Sequence, residues 1–471
     1  MEAKGYKVFN DSVHGHITLH PLLVKVVDTP EFQRLRNIKQ LGFANYVYPG
    51  ACNSRYEHSL GTCYLAGQMM EKLLSRESKP CLEEKKNEMA LCVQLAALCH
   101  DLGHGPFSHT WERITEMWND DWKHEEASIQ MFDYLVKKNN LFKAFEEYGL
   151  KEEEIKIIKE MIMGGPNMNK KPLLEKEWNF MYEIVNNKNT GVDVDKWDYF
   201  LRDGLHLNLR ITFDYRRLLE FCTILDDDDD GLSHISFRDK EMLNLYNMYR
   251  VRSALHHTAY RHKVVVNIEL MCIDAFKAAG DAGYKINNSD TLLKEAHRNP
   301  ESLSRLTDHV FYDILYSTDK SLSQAKELLQ RVLKRDLYKF VGSYNLPVSH
   351  ALPSKKKKKK HVEKEKSELL KRLKEECKGS TFHVEDFYLC LDSESDPVAN
   401  VKFYKKTGQK DKPIEKESFD NIKDLLAPYP FQLSVDGTAQ LLVFCKDQVI
   451  NEDHFKEAKK VIKQFKEQIP A

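Results

Sequence analysis

The chain has 471 residues, 42% of them hydrophobic, so it can bury a large core divided into two or three lobes. Its 71 lysines and arginines balance 72 aspartates and glutamates, which excludes a general attraction to nucleic acid or membranes. We expect no secretory signal in MEAKGYKVFND, no membrane-spanning segment, and reduced thiols at ten scattered cysteines. These features favour an intracellular protein.

Helical periodicity dominates residues 17–340. Apolar residues recur at three- and four-residue spacing in 57–75 and 319–340, which predicts amphipathic helices there. Residues 89–99 are apolar on all sides except at Gln94, which predicts a helix at the centre of a bundle.

Two segments inside this region are predicted to be loops. Gly, Pro and Asn residues gather at 164–169, and five aspartates follow one another at 226–230. Repelling carboxylates without ordered spacing favour a solvated loop, with cation binding as the alternative reading of the acidic run.

The composition changes near residue 342. We expect residues 342–378 to form a lysine-rich linker and a charged helix, with six consecutive lysines at 355–360. We interpret the lysine run as a linker. A nuclear import signal, which would place the protein in the nucleus, and a contact to a polyanion are the alternatives.

A smaller α+β lobe is expected over 379–471. Three of its segments alternate like strands: 381–391, 400–405 and 439–445. An amphipathic helix follows at about 452–468. The sequence therefore predicts a mainly α protein, with a helical domain over 1–341 and this lobe attached to it.

The most informative ten residues, HDLGHGPFSH, run from His100 to His109. His100 and Asp101 leave a helix at different angles and can approach one ion with imidazole and carboxylate donors. His58 and Asp195 begin two other helices, so three helices could bring four ligands together. Two imidazoles and two carboxylates leave positions open for water and substrate, as catalytic sites require. Ordinary capping roles for His58 and Asp195 are the alternative.

Five long segments occur in order: 7–50, SRYEHSLG, LCHDLGHGPFSH, GVDVDKWDYFLRD and RDKEMLNLYNMYRVRSALHHTAYRHK. Together they resemble the deoxynucleoside triphosphate (dNTP) triphosphohydrolases with SAM and HD domains, a family of the HD superfamily. The resemblance begins at about residue 6, so we expect no SAM domain in this sequence. It implies attack of water at the α-phosphorus, release of a deoxynucleoside and inorganic triphosphate, control of dNTP pools and antiviral defence.

The resemblance also implies roles in catalysis. His124 and Glu125 match the catalytic His-Glu pair, in which the carboxylate orients a ring that protonates the leaving alkoxide. His104 and His109 match active-site positions beside the phosphates. A divalent metal, zinc or iron, is expected at the four ligands, with Mg²⁺ accompanying the nucleotides. Positive charge for the phosphates is expected from Arg55, Lys196 and Arg252.

Sugar selection is assigned by the same resemblance. Leu41 and Tyr260 would crowd a 2′-hydroxyl, while Gln40 and Asp203 would bond the 3′-hydroxyl, with Tyr199 packed beside the sugar. Arg261 stands where the family usually has glutamine, close to the base edge, so a changed base preference is expected.

Activation by nucleotides bound between subunits is a further implication, with GTP or dGTP binding first, a dNTP second, and a homotetramer as the result. The residues matching the guanine site are Asp28, Gln33 and Arg36, with Lys7, Arg335 and Lys339 on phosphate. The residues matching the second site are Val8, Asn10, His16, Asp214, Arg217, Arg238, Lys240, Asn244, His262, Lys263 and Lys406. Thr258 replaces a family arginine in the second site, which is expected to weaken activation and loosen the tetramer.

A single-stranded nucleic-acid binding protein, using the basic interface residues and the lysine run, is the alternative function. The neutral net charge and the lack of interleaved aromatic residues at 355–360 count against it as the main role.

Overall fold

The computed structural model describes residues 5–77, 79–118, 120–166, 171–286, 289–348, 355–388, 398–407, 410–413, 438–449 and 451–468. The α-helices in these ranges are α1 (Pro21–Val27), α2 (Pro30–Gln33), α3 (Arg55–Ser75), α4 (Pro80–Glu84), α5 (Lys86–Cys99), α6 (His109–Glu116), α7 (His124–Lys138), α8 (Phe142–Glu146), α9 (Glu152–Ile162), α10 (Tyr182–Val185), α11 (Val194–Leu207), α12 (Tyr215–Glu220), α13 (Met242–Leu255), α14 (Lys263–Asp281), α15 (Pro300–Leu303), α16 (Val310–Leu315), α17 (Ser323–Leu333), α18 (Lys355–Glu376) and α19 (Glu452–Gln468). The strands are β1 (Lys7–Asp11), β2 (Gly15–Leu19), β3 (Cys222–Asp226), β4 (Ser233–Arg238), β5 (Lys339–Pro347), β6 (Phe382–Tyr388), β7 (Lys402–Thr407), β8 (Lys410–Pro413) and β9 (Thr438–Cys445). The fold is mainly α, as predicted.

Helices α3 and α5 form the centre of the larger core. The apolar residues of α5 from Leu91 to Cys99 are buried, which confirms the prediction for 89–99. The predicted helix at 57–75 corresponds to α3, which starts with a capping box in which the Ser54 N–H donates to the Glu57 carboxylate at 2.6 Å. This start places His58 in the first turn of α3, beside the end of α5.

Among the described residues, the helical expectation for 17–340 is wrong in three places, of which the first is residues 17–19 at the end of strand β2. Residues 222–238 form the antiparallel hairpin of β3 and β4, in which Cys222 pairs with Phe237 and Asp226 pairs with Ser233. The predicted helix at 319–340 ends at Leu333, since Arg335 has a φ of +56° and strand β5 begins at Lys339.

The two predicted loops are partly described. Residues 227–230 connect β3 to β4, and Asp226 is the last residue of β3. Gly164 and Gly165 have positive φ and end the segment after α9, while residues 167–169 of that loop lie outside the described residues.

The C-terminal lobe is built on a sheet with the order β5-β9-β6, both pairs antiparallel. Helices α18 and α19 pack on it around a second core. Strand β7 instead pairs in parallel with β4, so this part of the lobe joins the larger helical body. Strand β6 ends at Tyr388, and 389–391 of the predicted strand lie outside the described residues.

The lysine run 355–360 differs from the expected linker. It forms the first turns of α18, and Lys358 is buried. Helix α18 packs against β6 and α19, and these tertiary contacts support a helix whose first lysines repel one another.

Among the described residues, we find no helix with the length and apolar character that a membrane crossing requires. Nine cysteines are described and none of these is in a disulfide bond. Cys390 lies outside the described residues.

Candidate active site

A cavity of about 380 Å³ opens between the start of α3, the 100–109 segment, α11 and the π-helical turn His256–Tyr260. Most of the predicted site residues line it: Gln40, Leu41, Arg55, His100, Asp101, His104, His109, His124, Glu125, Asp195, Tyr199, Asp203, Tyr260 and Arg261. His58 is fully buried behind this wall. Lys196 and Arg252, expected on the phosphates, are not among its lining residues, and Lys196 Nζ lies 2.8 Å from Asp193 Oδ2 instead.

The four predicted metal ligands converge at one end of the cavity. His58 Nε2 lies 3.0 Å from Asp195 Oδ1 and 3.5 Å from Asp101 Oδ2. His100 Nε2 lies 3.3 Å from Asp195 Oδ1 and 3.4 Å from Asp101 Oδ1. Two nitrogens and two carboxylates at these separations form a donor set that suits a divalent cation.

Hydrogen bonds behind the two imidazoles determine which nitrogen faces this cluster. His58 Nδ1–H donates to Asp198 Oδ2 at 2.7 Å, and His100 Nδ1–H donates to Ala97 O at 2.7 Å. Each ring therefore directs its Nε2 atom at the cluster. His100 Nε2 is buried and makes no hydrogen bond to any described residue, as a ligand atom that requires a metal would.

The partner of His58, Asp198, belongs to a buried network that sequence reasoning missed. Its Oδ1 is 2.7 Å from His14 Nε2, and Arg202 donates to both of its carboxylate oxygens at 2.9 Å. Arg202 also donates to Asp11 at the end of β1 at 2.9 Å. A Cβ on Gly61 would lie 1.8 Å from Asp198 Oδ1, so glycine permits this approach. Asp198 follows Asp195 by three residues on α11, and this spacing could have indicated that both carboxylates lie near the same histidine.

Negative charge predominates around the ligand atoms. Burial lowers the pKa of His58, but hydrogen bonds to Asp195 and Asp198 and the charge of Asp101 outweigh it and raise that pKa to about 10. Burial disfavours ionised Asp101, yet Arg55, at 2.5 Å, and His100 hold its pKa well below the usual range. A cluster that keeps its carboxylates ionised is suited to a divalent cation.

His124 has a different carboxylate partner from the one expected. Its Nδ1 lies 2.5 Å from Glu112 Oε1, whereas Glu125 Oε2 is 3.5 Å away. The same Glu112 oxygen is 3.4 Å from His109 Nδ1. Burial raises the pKa of Glu112, but hydrogen bonds from His109 and His124 hold it far below its ordinary value. The three-residue spacing between His109 and Glu112 on α6 could have revealed the contact between these two residues.

His104 lies between the metal-ligand cluster and His124. Its ring stacks on His124 with centroids 3.9 Å apart, and its Nε2 lies 3.2 Å from Asp101 Oδ1. Burial, and then the charges of Arg55 and His124, lower the pKa of His104 well below its ordinary value. A neutral ring at this position can donate one hydrogen bond without adding charge.

Arg55 is held by a strained turn. Phe107 and Ser108 both have a φ of +57°, a region that costs non-glycine residues energy. The turn is fixed because Phe107 N–H donates to Asp308 Oδ1 at 2.7 Å and Ser108 Oγ–H donates to Lys39 O at 2.7 Å. Ser108 Oγ accepts from Arg55 Nε at 2.9 Å, which directs the guanidinium at Asp101.

Asp203 organises another part of the cavity wall. Tyr260 Oη–H donates to its Oδ2 at 2.7 Å, and Asn53 Nδ2–H donates to its Oδ1 at 2.8 Å. Burial raises the pKa of Asp203, although both hydrogen bonds oppose this. Asn53 was not predicted. Leu41 and Tyr199 complete an apolar surface beside this group.

The residues expected to bind activators lie away from the cavity lining. Lys7 Nζ and Asp28 Oδ2 are 2.7 Å apart on the surface, and Arg36 Nε donates to Gln33 Oε1 at 2.7 Å. The Arg36 guanidinium stacks 3.5 Å from the centre of the Tyr56 ring. Lys7, Asp28 and Arg36 are exposed, whereas Gln33 is half-buried and the Tyr56 ring beneath Arg36 is buried.

In the second expected set, Asn244 and Asp214 exchange two hydrogen bonds, at 2.8 and 2.9 Å. Arg217 pairs with buried Glu241, and Asn10 faces His16 across the β1–β2 hairpin. Thr258 O accepts from Tyr48 Oη–H at 2.5 Å.

The chain is similar in sequence to several known proteins. Residues 55–202 match the HD domain family. The chain is 47% identical over 352 residues to deoxynucleoside triphosphate triphosphohydrolase SAMHD1 of Gallus gallus, covering 71% of this chain and 56% of that protein. It is 45% identical over 355 residues to the Homo sapiens protein of that name, covering 71% and 55%. The SAMHD1 homolog of Dictyostelium discoideum is 36% identical over 340 residues, covering 72% and 60%. The chain thus spans little more than half the length of these relatives.

Proposed function

We propose that this chain, which belongs to the HD-domain family of SAMHD1-like triphosphohydrolases, hydrolyses dNTPs to a deoxynucleoside and inorganic triphosphate. One observation carries the proposal. The Nε2 atoms of His58 and His100 and the carboxylates of Asp101 and Asp195 meet within 3.0–3.5 Å in the wall of a cavity large enough for a nucleotide.

These four residues would hold a divalent metal, zinc or iron, with Mg²⁺ accompanying the nucleotide phosphates. A bound divalent ion would polarise a phosphate oxygen and lower the pKa of a water molecule. Asp198 orients His58 from behind, and Ala97 O orients His100. The protein therefore contributes ligand atoms that are already oriented towards the site of the metal.

Arg55 neutralises phosphate charge, because its guanidinium is fixed by Ser108 and Asp101 beside the ligand cluster. His124 protonates the leaving 5′ oxygen. Its Nδ1 is bonded to ionised Glu112, so the opposite nitrogen can present the proton to a substrate in the cavity. His109, which shares Glu112, is positioned to contact phosphate or assist this transfer.

The sugar is selected by Tyr260, Asp203 and Leu41. Tyr260 and Asp203 are bonded to each other, so a 2′-hydroxyl that displaced them would break a buried hydrogen bond. A deoxyribose meets no such penalty. This arrangement favours dNTPs over ribonucleotides.

Activation by GTP or dGTP and then a dNTP, with assembly of a homotetramer, is part of the proposal. It is supported by the cluster of Lys7, Asp28, Gln33 and Arg36, in which a carboxylate and cations lie beside an aromatic face. Guanine presents two N–H donors to a carboxylate, and phosphates favour the cations.

A nuclear location is proposed from the lysines at the start of α18. Lys357, Lys359 and Lys360 are exposed, whereas Lys358 is buried. Changing the three exposed lysines to glutamine should shift a fluorescent fusion from the nucleus to the cytoplasm. An unchanged distribution would contradict this location signal.

The reaction is tested by incubating the purified protein with each dNTP, with and without GTP, and separating the products. We expect inorganic triphosphate and free deoxynucleoside, and no turnover or bound metal in the His100→Ala, Asp101→Ala double variant. Release of pyrophosphate or monophosphate alone would refute the reaction. Undiminished turnover in the double variant would refute the metal assignment.

A further inference from the structure

Strand β6 of the C-terminal lobe lies against the wall of the active-site cavity. Glu385 Oε1 is 2.8 Å from Arg113 Nη2, and Arg113 Nη1 is 3.1 Å from Glu269 Oε2. Arg113 and Glu269 both line the cavity. The lobe therefore contributes a carboxylate directly behind residues of the site.

Glu385 is an anion shared by three basic side chains. Its Oε1 lies 3.7 Å from Arg261 Nη1, and its Oε2 lies 3.0 Å from His383 Nε2. Burial raises its pKa, but Arg113 and His383 outweigh burial and lower that pKa to about 2. Glu385 is thus charged throughout the neutral range and attracts the Arg261 guanidinium.

Arg261 is fixed from a second side by an aromatic ring. Its guanidinium carbon lies 5.1 Å from the centre of Phe387, which is on β6 as well. Phe387 in turn stacks on His256, with ring centroids 5.9 Å apart and planes 18° apart. The Arg261 side chain lines the cavity and remains 32% exposed, so some of its N–H donors are available to a bound molecule.

We propose that Arg261, positioned by Glu385 and Phe387, selects the nucleobase of the substrate and favours guanine over adenine. The proposal rests on the dNTP hydrolysis described above. Tyr260 bonds to Asp203 where the sugar is expected, and the next residue in the chain, Arg261, lines the same cavity, so we expect it to face a base joined to that sugar.

The chemistry of the two purines differs at one edge. Guanine presents two adjacent acceptors, O6 and N7, which match the parallel N–H groups of a guanidinium. Adenine presents N7 beside an amino group, which is a donor and repels the second N–H. A guanidinium restrained by a carboxylate and a ring loses less entropy on binding than a free one. More of the difference in hydrogen bonding between guanine and adenine is therefore expressed as a difference in affinity.

The test compares kcat/KM for dGTP and dATP at saturating GTP, so that the guanine activator site is filled in every assay. Arg261→Gln should lower the dGTP:dATP ratio about tenfold, within the range of one base-reading contact. Arg261→Lys should give an intermediate ratio, because it keeps the charge and loses the parallel donors. The control is Arg305→Gln, at an exposed residue paired with Glu301, and it should leave the ratio unchanged.

Glu385→Gln tests the support from β6. It should lower the ratio in the same direction as Arg261→Gln, by a smaller factor, in protein whose melting temperature confirms folding. A dGTP:dATP ratio that stays at the wild-type value in Arg261→Gln, with hydrolysis intact, overturns the proposal.

A binding measurement separates this inference from the reaction itself. Dissociation constants for dGTP and dATP, with GTP present, are measured in the His100→Ala, Asp101→Ala background with and without Arg261→Gln. If no dNTP is hydrolysed by the wild type but the Kd ratio depends on Arg261, the reaction is wrong and base selection holds. If hydrolysis occurs but Arg261→Gln changes neither the dGTP:dATP ratio of kcat/KM nor that of Kd, base selection is wrong.

Discussion

Glu112 and Glu125 both lie near His124 Nδ1, at 2.5 Å and 3.5 Å, and replacing each with glutamine distinguishes their roles. Glu112 is ionised near neutral pH, since its hydrogen bonds hold its pKa far below the usual value. Opposite unit charges about 4 Å apart attract by about 4 kcal/mol at an effective dielectric constant of about 20. Partial solvent screening leaves about 3 kcal/mol, or a factor of about 10² in rate.

We therefore expect Glu112→Gln to lower kcat about 10²-fold with little change in KM, because the lost charge supports a proton donor more than substrate binding. Initial rates of triphosphate release from a dNTP, measured over a range of substrate concentrations, give kcat and KM.

Glu125→Gln is the matched control, because it removes a carboxylate from the next residue along and changes the same number of atoms. Its expected loss is below about tenfold, since this carboxylate is more distant and 40% exposed. The reasoning fails if Glu125→Gln is the more damaging change, or if Glu112→Gln turns over at the wild-type rate.

Three further predictions concern the metal, the activator and stability. Asp198→Asn should weaken metal binding about 10- to 100-fold, measured by chelator competition on folded protein, because His58 loses its orienting carboxylate; unchanged affinity would contradict this. Asp28→Ala should abolish stimulation by GTP at an unchanged melting temperature, and full stimulation would remove this residue from the activator site. A hydrogen bond to Glu183 raises the pKa of His234 to about 9, although burial opposes it. That bond should add about 1 kcal/mol of stability below pH 6.5, lost as the pH rises through 9, so urea unfolding should separate wild type from His234→Gln at pH 6 and not at pH 9.5.

Sequence patterns predicted the main helices because burial on one face leaves a regular spacing of apolar residues, as in α3 and α5. The pattern was weaker for 222–238, where a short hairpin interrupts long helices. It also failed at 333–339, where a change of backbone direction leaves no apolar signature. The lysine run begins a helix that packs against β6 and α19, and no local pattern encodes these contacts.

The sequence by itself predicted the ligand set His58, His100, Asp101 and Asp195, because donor types and helix starts can be read directly from the chain. Only the tertiary structure assigned Glu112 to His124 and brought Glu385 to the cavity wall, 116 residues beyond Glu269 in the chain. Ion pairs between distant elements depend on how helices and sheets pack. The sequence does not distinguish a charged residue that faces solvent from one that faces a partner of opposite charge.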